Sequence, residues 1–230
     1  MKKLKSIFFV SIIFLGLIIV LYYLFLNKNA EDIGINTNIN KVDDLFAISL
    51  PDVFSESQIK RFNDQRDILK AKYDESDLDV DFWIGMGNLY KVAGDYNRSA
   101  KAYIESALIG PENSVSYVNL ARLYDKEIKD YVMAEEYYKK AIENKPTDEW
   151  LYIDLGKVYK YRLDIPEKQE EILLEGEKVI ENNINIIREL SRVYSDSGNV
   201  KKAIEYLEKV IKVNPNNESL KKELEELKNN

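Results

Sequence analysis

Residues 117–124 read YVNLARLY, and this stretch carries the pattern that decides the fold because the pattern occurs four times in the chain. Each copy has a bulky residue, an apolar residue three positions later, a small residue directly after it, and a tyrosine three positions further on. The first positions lie 34, 35 and 35 residues apart, and such a fixed period is the signature of a repeat architecture. The copies are Trp83–Met86–Gly87–Tyr90, Tyr117–Leu120–Ala121–Tyr124, Tyr152–Leu155–Gly156–Tyr159 and Ile187–Leu190–Ser191–Tyr194.

The proline positions agree with this period. Pro111, Pro146 and Pro215 lie 35 and 69 residues apart, at the ends of units. The motif and its period resemble the tetratricopeptide repeat (TPR), in which each unit is a helix–turn–helix. The resemblance implies an all-α fold, a right-handed α-solenoid of antiparallel helix pairs. We assign the four units to residues 80–113, 114–148, 149–183 and 184–217.

Capping segments are predicted on both sides of the repeats. Ser55 and Gln58 have the spacing of a capping box, which predicts a leading helix within residues 54–79. Residues 218–230 predict a C-terminal capping helix with its leucines toward the last unit and its charges toward water. Terminal caps of this kind keep a solenoid soluble. Residues 27–53 begin with a polar, asparagine-rich stretch and are predicted to form a tether.

The third unit departs from the pattern. Its second helix starts at Pro166, which is preset for a first helical turn, and carries Gln169 and Gly176 where other units have small residues such as alanine. A glycine in a helix interior costs about 1 kcal/mol relative to alanine. We therefore expect this unit to be the loosest, with faster amide exchange over about residues 166–180 than over residues 200–213.

Composition argues against catalysis. The 230-residue chain has no cysteine and no histidine, which removes the thiol nucleophile and the commonest general base and zinc ligand. Phosphate-binding glycine patterns are missing as well, so we expect no enzyme activity, cofactor or metal site. The net charge is −7 and no basic run follows the N-terminal segment, which disfavours nucleic acid as a partner.

The N-terminal sequence predicts a membrane anchor. Residues 7–26 are almost uninterrupted apolar residues, and 20 residues at about 1.5 Å rise span about 30 Å, the thickness of a bilayer core. The alternative is a cleaved signal peptide, but the apolar stretch is longer than usual and no small-x-small cleavage site follows it. The sequence thus predicts an all-α array preceded by one transmembrane helix.

The flanking charges predict the orientation of this anchor. Residues 1–6 contain Lys2, Lys3 and Lys5, whereas Lys28 is followed by Glu31 and Asp32. Cationic flanks stay in the cytoplasm. We therefore expect a single-pass protein with a cytoplasmic N-terminus and an extracytoplasmic repeat domain.

The resemblance also implies a groove, lined by the first helix of each unit. Over the implied positions basic side chains outnumber acidic ones, with an apolar row beside them, so a protein or peptide partner with acidic residues flanking apolar anchors would fit. The alternative is that the lysines and arginines form an ordinary solvated face. The candidate groove residues are Ile84, Asn88, Lys91, Val118, Arg122, Lys126, Trp150, Ile153, Lys157, Lys160, Tyr161, Arg188 and Arg192.

The predicted function is that of a membrane-anchored scaffold or adaptor for protein–protein interaction in envelope or secretion-related assembly. One alternative is an extracytoplasmic chaperone-like or enzyme-accessory protein that holds client segments in the groove, which would need a broader apolar groove. Another is a structural spacer, for which groove substitutions would have no effect.

Overall fold

The computed structural model describes residues 42–229, and all regular elements in this range are helical. The predicted anchor at residues 7–26 lies outside the described residues. Among those that are described, no helix is both long and apolar enough to cross a membrane. The helices are α1 (Val42–Phe46), α2 (Glu56–Asp74), α3 (Val80–Val92), α4 (Tyr96–Ile109), α5 (Ser114–Leu123), a π-helical turn (Tyr124–Ile128), α6 (Tyr131–Asn144), α7 (Glu149–Tyr161), α8 (Pro166–Val179), α9 (Ile184–Asp196), α10 (Val200–Val213) and α11 (Glu218–Asn229).

The chain divides into two compact units, Met1–Pro111 and Glu112–Asn230. In unit 1, α2 packs on α3 and α3 packs on α4. In unit 2, each helix from α5 to α11 packs on the next, and α7 also touches α9. The prediction of an all-α array of helix pairs is thereby confirmed. We call α3, α5, α7 and α9 first helices, and α4, α6, α8 and α10 second helices.

Local sequence signals fix where the helices of unit 2 begin. Asn113, Asp148 and Asn183 precede the first helices, and the side-chain oxygen of each accepts a hydrogen bond from the backbone N–H two residues later. This satisfies one of the N–H groups that a helix start leaves without a partner. Helix α8 begins differently, with Pro166 at its first turn and no side-chain hydrogen bond to its cap.

The small residues of the repeated motif permit close helix contact, as the pattern predicts. In unit 1, a methyl group on Gly87 would lie well inside van der Waals contact of the Tyr103 ring. In unit 2, the Ser191 hydroxyl donates to the carbonyl oxygen of Ala203 at 2.8 Å, across the α9–α10 pair. The motif positions therefore set the distance between the two helices of a pair.

The final tyrosines of the motif connect successive pairs in unit 2. The Tyr159 hydroxyl on α7 donates to Glu135 Oε1 on α6 at 3.0 Å, and the Tyr194 hydroxyl on α9 donates to Glu170 Oε1 on α8 at 2.8 Å. Both acceptors lie 24 residues before the tyrosine. Burial, together with the bond to Glu135, raises the pKa of Tyr159 to about 12. These tyrosines are therefore structural donors that couple a first helix to the preceding second helix.

Residues 42–50, which lie within the predicted tether, are part of the folded unit 1. Leu45 is buried, and its carbonyl oxygen accepts a hydrogen bond from the Tyr90 hydroxyl at 2.6 Å. Arg98 Nη1 donates to the carbonyl oxygens of Asp44 and Ala47 at 3.1 and 3.0 Å. The folded part of the chain thus begins earlier than the sequence indicates. The capping box of Ser55 and Gln58 at the start of α2 is confirmed.

The third pair, predicted to be the loosest, has close contacts at both unusual residues. Gln169 is buried, and its Cγ would lie 3.3 Å from a methyl group on Gly156. A methyl group on Gly176 would lie 2.8 Å from Cγ of Tyr152 and 3.0 Å from Cδ1 of Ile186. Gly176 is therefore the point where α8 approaches both α7 and α9. The relative exchange rates of the third and fourth pairs stay a prediction.

We expect Gly176→Ala to destabilise the protein. The added methyl group would lie 2.8 Å from Cγ of Tyr152, a ring atom next to the backbone that cannot easily move. Overpacking of this kind costs about 1–3 kcal/mol, and at so short a distance we expect a cost above the roughly 1 kcal/mol gained from helix propensity. Urea unfolding followed by circular dichroism measures the difference. Glu175→Ala, at an exposed position of the same helix, is the matched control. A Gly176→Ala variant as stable as the parent would contradict the close approach.

Candidate protein-binding face

The first helices of unit 2 are joined side by side by polar side chains. Arg122 Nη2 on α5 lies 3.3 Å from Asp154 Oδ2 on α7, and Lys160 on α7 is bonded to Asp196 on α9. We call the solvent-facing sides of α5, α7 and α9 the first-helix face. Because side chains bridge both junctions, this face is one continuous surface within unit 2.

Helix α7 supplies the aromatic residues of the first-helix face. Trp150, Asp154, Lys157 and Tyr161 lie three or four residues apart, so they share one side of the helix. Trp150 is 49% exposed and Tyr161 is 64% exposed, at opposite ends of α7. Exposed aromatic side chains of this size supply much of the binding energy in protein interfaces.

Ile153 does not belong to the face, although the sequence places it in the groove. Its side chain is only 3% exposed, so it is part of the core of unit 2. Without Ile153, fewer apolar side chains line the predicted groove in unit 2. Val118 is half-buried, and Val115 is exposed at the start of α5.

The basic residues of unit 2 do not form the positive line that their spacing suggests. Asp154 lies between two of them, 3.3 Å from Arg122 Nη2 and 3.9 Å from Lys157 Nζ. Arg192 Nη1 similarly lies 2.8 Å from Glu189 Oε1. Asp154 and Glu189 were not among the implied groove positions, yet their carboxylates reach the face. Charges on the face therefore alternate in sign.

Arg188 contacts the C-terminal helix α11. Its Nη2 lies 3.9 Å from Glu223 Oε2 on α11, and its Nε is buried without a hydrogen-bond partner among the described residues. The nearby Leu220 of α11 is buried. Arg188, one of the candidate groove residues, is therefore engaged by α11.

Asp125 is one of the acidic groove positions that the resemblance implies, but its carboxylate is buried. It sits in the π-helical turn and is only 4% exposed. Lys126 Nζ lies 2.5 Å from one of its oxygens, and Arg162 Nε donates to the other at 3.2 Å. Lys126 is therefore paired rather than available, and Arg162 was missed because it follows α7, outside the repeated motif.

The candidate residues of unit 1 lie on α3. Ile84 and Lys91 are half-buried, and Asn88 is exposed. The Oδ1 atom of Asn88 accepts a hydrogen bond from the Tyr103 hydroxyl at 2.7 Å. Lys91 forms no ion pair with any described residue, in contrast to the candidate basic residues of unit 2.

Comparison with known proteins finds a family match over part of the chain. The model of the family described as the tetratricopeptide repeat matches residues 115–148 and 189–217. No curated protein matches the chain.

Solved structures extend the comparison to most of the chain. A crystal structure of MamA is 17% identical and superposes with a TM-score of 0.53, covering 71% of this chain and 95% of that one. A structure titled as MamA protein is 22% identical, with a TM-score of 0.51, and covers 64% and 80% of the two chains. The MamA RS-1 ArsTM double mutant is 21% identical, with a TM-score of 0.52, and covers 66% and 84%. At these identities the likeness shows a shared fold.

Proposed function

We propose that this chain, an all-α array of tetratricopeptide repeats, is a scaffold that binds a protein partner through the first-helix face of unit 2. The observation that carries the proposal is the exposed Trp150 on a face whose neighbouring positions are ionic. Tryptophan is one of the residues enriched at binding hot spots. About half of the indole stays exposed, which leaves apolar surface for a partner to bury.

The partner chemistry that suits this face combines apolar anchors with acidic residues. Arg122 and Lys157 share the single carboxylate of Asp154, so this group of three carries a net positive charge. Arg122 and Lys157 are exposed and Asp154 is half-buried, and ion pairs near the protein surface contribute only about 0–1 kcal/mol. An incoming carboxylate can therefore join or replace Asp154 at little cost. Trp150, one helical turn before Asp154, would take the apolar anchor.

We further propose that residues 7–26 anchor the protein in a membrane with the repeats outside the cytoplasm. The support for this is the length of the apolar stretch and the lysines that precede it. A scaffold in this position would act in envelope or secretion-related assembly. The face has few exposed apolar residues, whereas a chaperone that holds unfolded clients would need a broad apolar groove. This favours an adaptor.

We expect Asp154→Asn to strengthen partner binding and Trp150→Ala to weaken it. The first change frees Arg122 and Lys157 for a partner carboxylate, and the gain should shrink at high salt because exposed charges are screened. The second removes an anchor, with an expected loss of about 2 kcal/mol or roughly thirtyfold in affinity. Affinity of the purified variants for the partner recovered by crosslinking is measured by biolayer interferometry.

Val132→Ala, on the second helix α6, is the matched control because Val132 is exposed away from the first-helix face. It should bind as the parent does. If Asp154→Asn weakens binding, the partner presents basic rather than acidic groups. If Trp150→Ala binds normally, the first-helix face of unit 2 is not the interface.

We expect protease added to intact spheroplasts to remove the repeat domain. The lysine-flanked apolar segment predicts that this domain lies outside and that the mature protein keeps residues 7–26. Immunoblotting and N-terminal sequencing of the membrane fraction measure both. Digestion only after lysis would reverse the orientation, and a mature N-terminus beyond residue 26 would show a cleaved signal peptide.

A further inference from the structure

Unit 1 contains a pocket of about 380 Å³ between α2 and α3. Its wall is mainly apolar, and Phe62 and Leu89 at its base are buried. Val92, by contrast, is 46% exposed, so the pocket is open to solvent along α3. The apolar residues that line it are Phe54, Phe62, Leu89 and Val92.

The first helices of unit 2 show which kind of element covers the equivalent surface there. There, Asp154 on α7 contacts Arg122 of the preceding first helix, and Asp196 on α9 contacts Lys160 of the preceding first helix. These aspartates stand two and nine residues after the first motif position. The same positions on α3 are Gly85 and Val92, and both line the pocket.

No first helix precedes α2 in the described part of the chain. Helix α1, which comes before it, has five residues, and the segment around it bonds to Tyr90 and Arg98. The pocket is therefore the space that a preceding first helix would cover. Where α7 and α9 present carboxylates toward that neighbour, α3 presents a glycine and a valine. The missing helix would accordingly need an apolar face.

Polar groups at the rim of the pocket are available for a ligand. Asn88 uses its Oδ1 to accept from Tyr103, which leaves the two N–H donors of its amide for another acceptor. Arg61 lines the pocket from α2, is exposed, and forms no ion pair with any described residue. The rim thus offers a positive charge and amide donors, which are complementary to a carboxylate.

We propose that unit 1 binds an amphipathic helix of a protein partner in this pocket, in the place of a first helix. Apolar side chains one turn apart would pack on Phe62, Leu89 and Val92, which is the helix-in-groove mode of recognition. A glutamate or aspartate on the flank of the ligand helix would contact Arg61 and the Asn88 amide. The site is distinct from the first-helix face of unit 2 and does not depend on it.

The test uses the full chain in detergent and a fluorescein-labelled probe peptide of about four helical turns. The probe has leucines one turn apart, alanines between them and glutamates on one flank, and a matched probe has lysines in place of the glutamates. Fluorescence anisotropy should show binding of the glutamate probe. Val92→Asp should weaken it by about tenfold or more, because a charge enters the apolar wall. Arg61→Glu should weaken the glutamate probe and improve the lysine probe.

The controls are Val132→Asp and Lys60→Glu, which place the same changes on exposed helix positions outside the pocket and should leave binding unchanged. The proposal is overturned if neither probe binds, if Val92→Asp binds as the parent does, or if the pocket is filled by a second copy of the chain. Sedimentation of the parent and Val92→Asp proteins detects that last outcome. Loss of probe binding in Trp150→Ala but not in Val92→Asp would place the peptide on unit 2 and leave the proposed function standing.

Discussion

The packing of α7 and of α9 between two second helices is the contact on which unit 2 depends. Helix α7 shows it most clearly, because Tyr152 meets Gly176 of α8 while the Tyr159 hydroxyl donates to Glu135 of α6. Repeat arrays are held together by such nearest-neighbour contacts rather than by one central core. Two sides of α7 are therefore occupied, and only the remaining side is left for solvent or a partner.

The side-by-side arrangement of the first helices also explains the ion pairs on the first-helix face. Arg122 on α5 pairs with Asp154 across the α5–α7 junction, and Lys157 on α7 contacts the same carboxylate. Trp150 and Tyr161 lie at the ends of α7 and are more exposed. A partner would meet aromatic side chains at the edges and exchangeable ion pairs between them. In unit 1 the equivalent positions of α3 are Gly85 and Val92, and an apolar pocket takes the place of the ion pairs.

The repeated motif was sufficient to predict the helix pairs through its resemblance to the tetratricopeptide repeat, whose motif residues are close to one another in the sequence. The capping box of Ser55 and Gln58 was predictable for the same reason, since it is local. The ion pairs could not be predicted from the sequence, because they join residues that are far apart in the chain. Asp154 pairs with Arg122, 32 residues earlier, and Asp125 pairs with Arg162, 37 residues later. The resemblance placed Ile153 in the groove, although its side chain is buried in the core of unit 2.

The most direct measurement of the central claim is photo-crosslinking with the whole chain produced in cells. Tyr161→p-benzoylphenylalanine places the reactive group on the first-helix face, and Val179→p-benzoylphenylalanine places it at an exposed position on the second helix α8. If the first-helix face binds the partner, a discrete crosslinked product should form from position 161 and not from position 179. A product from position 179 alone would show that the second helices carry the interface and would contradict the account.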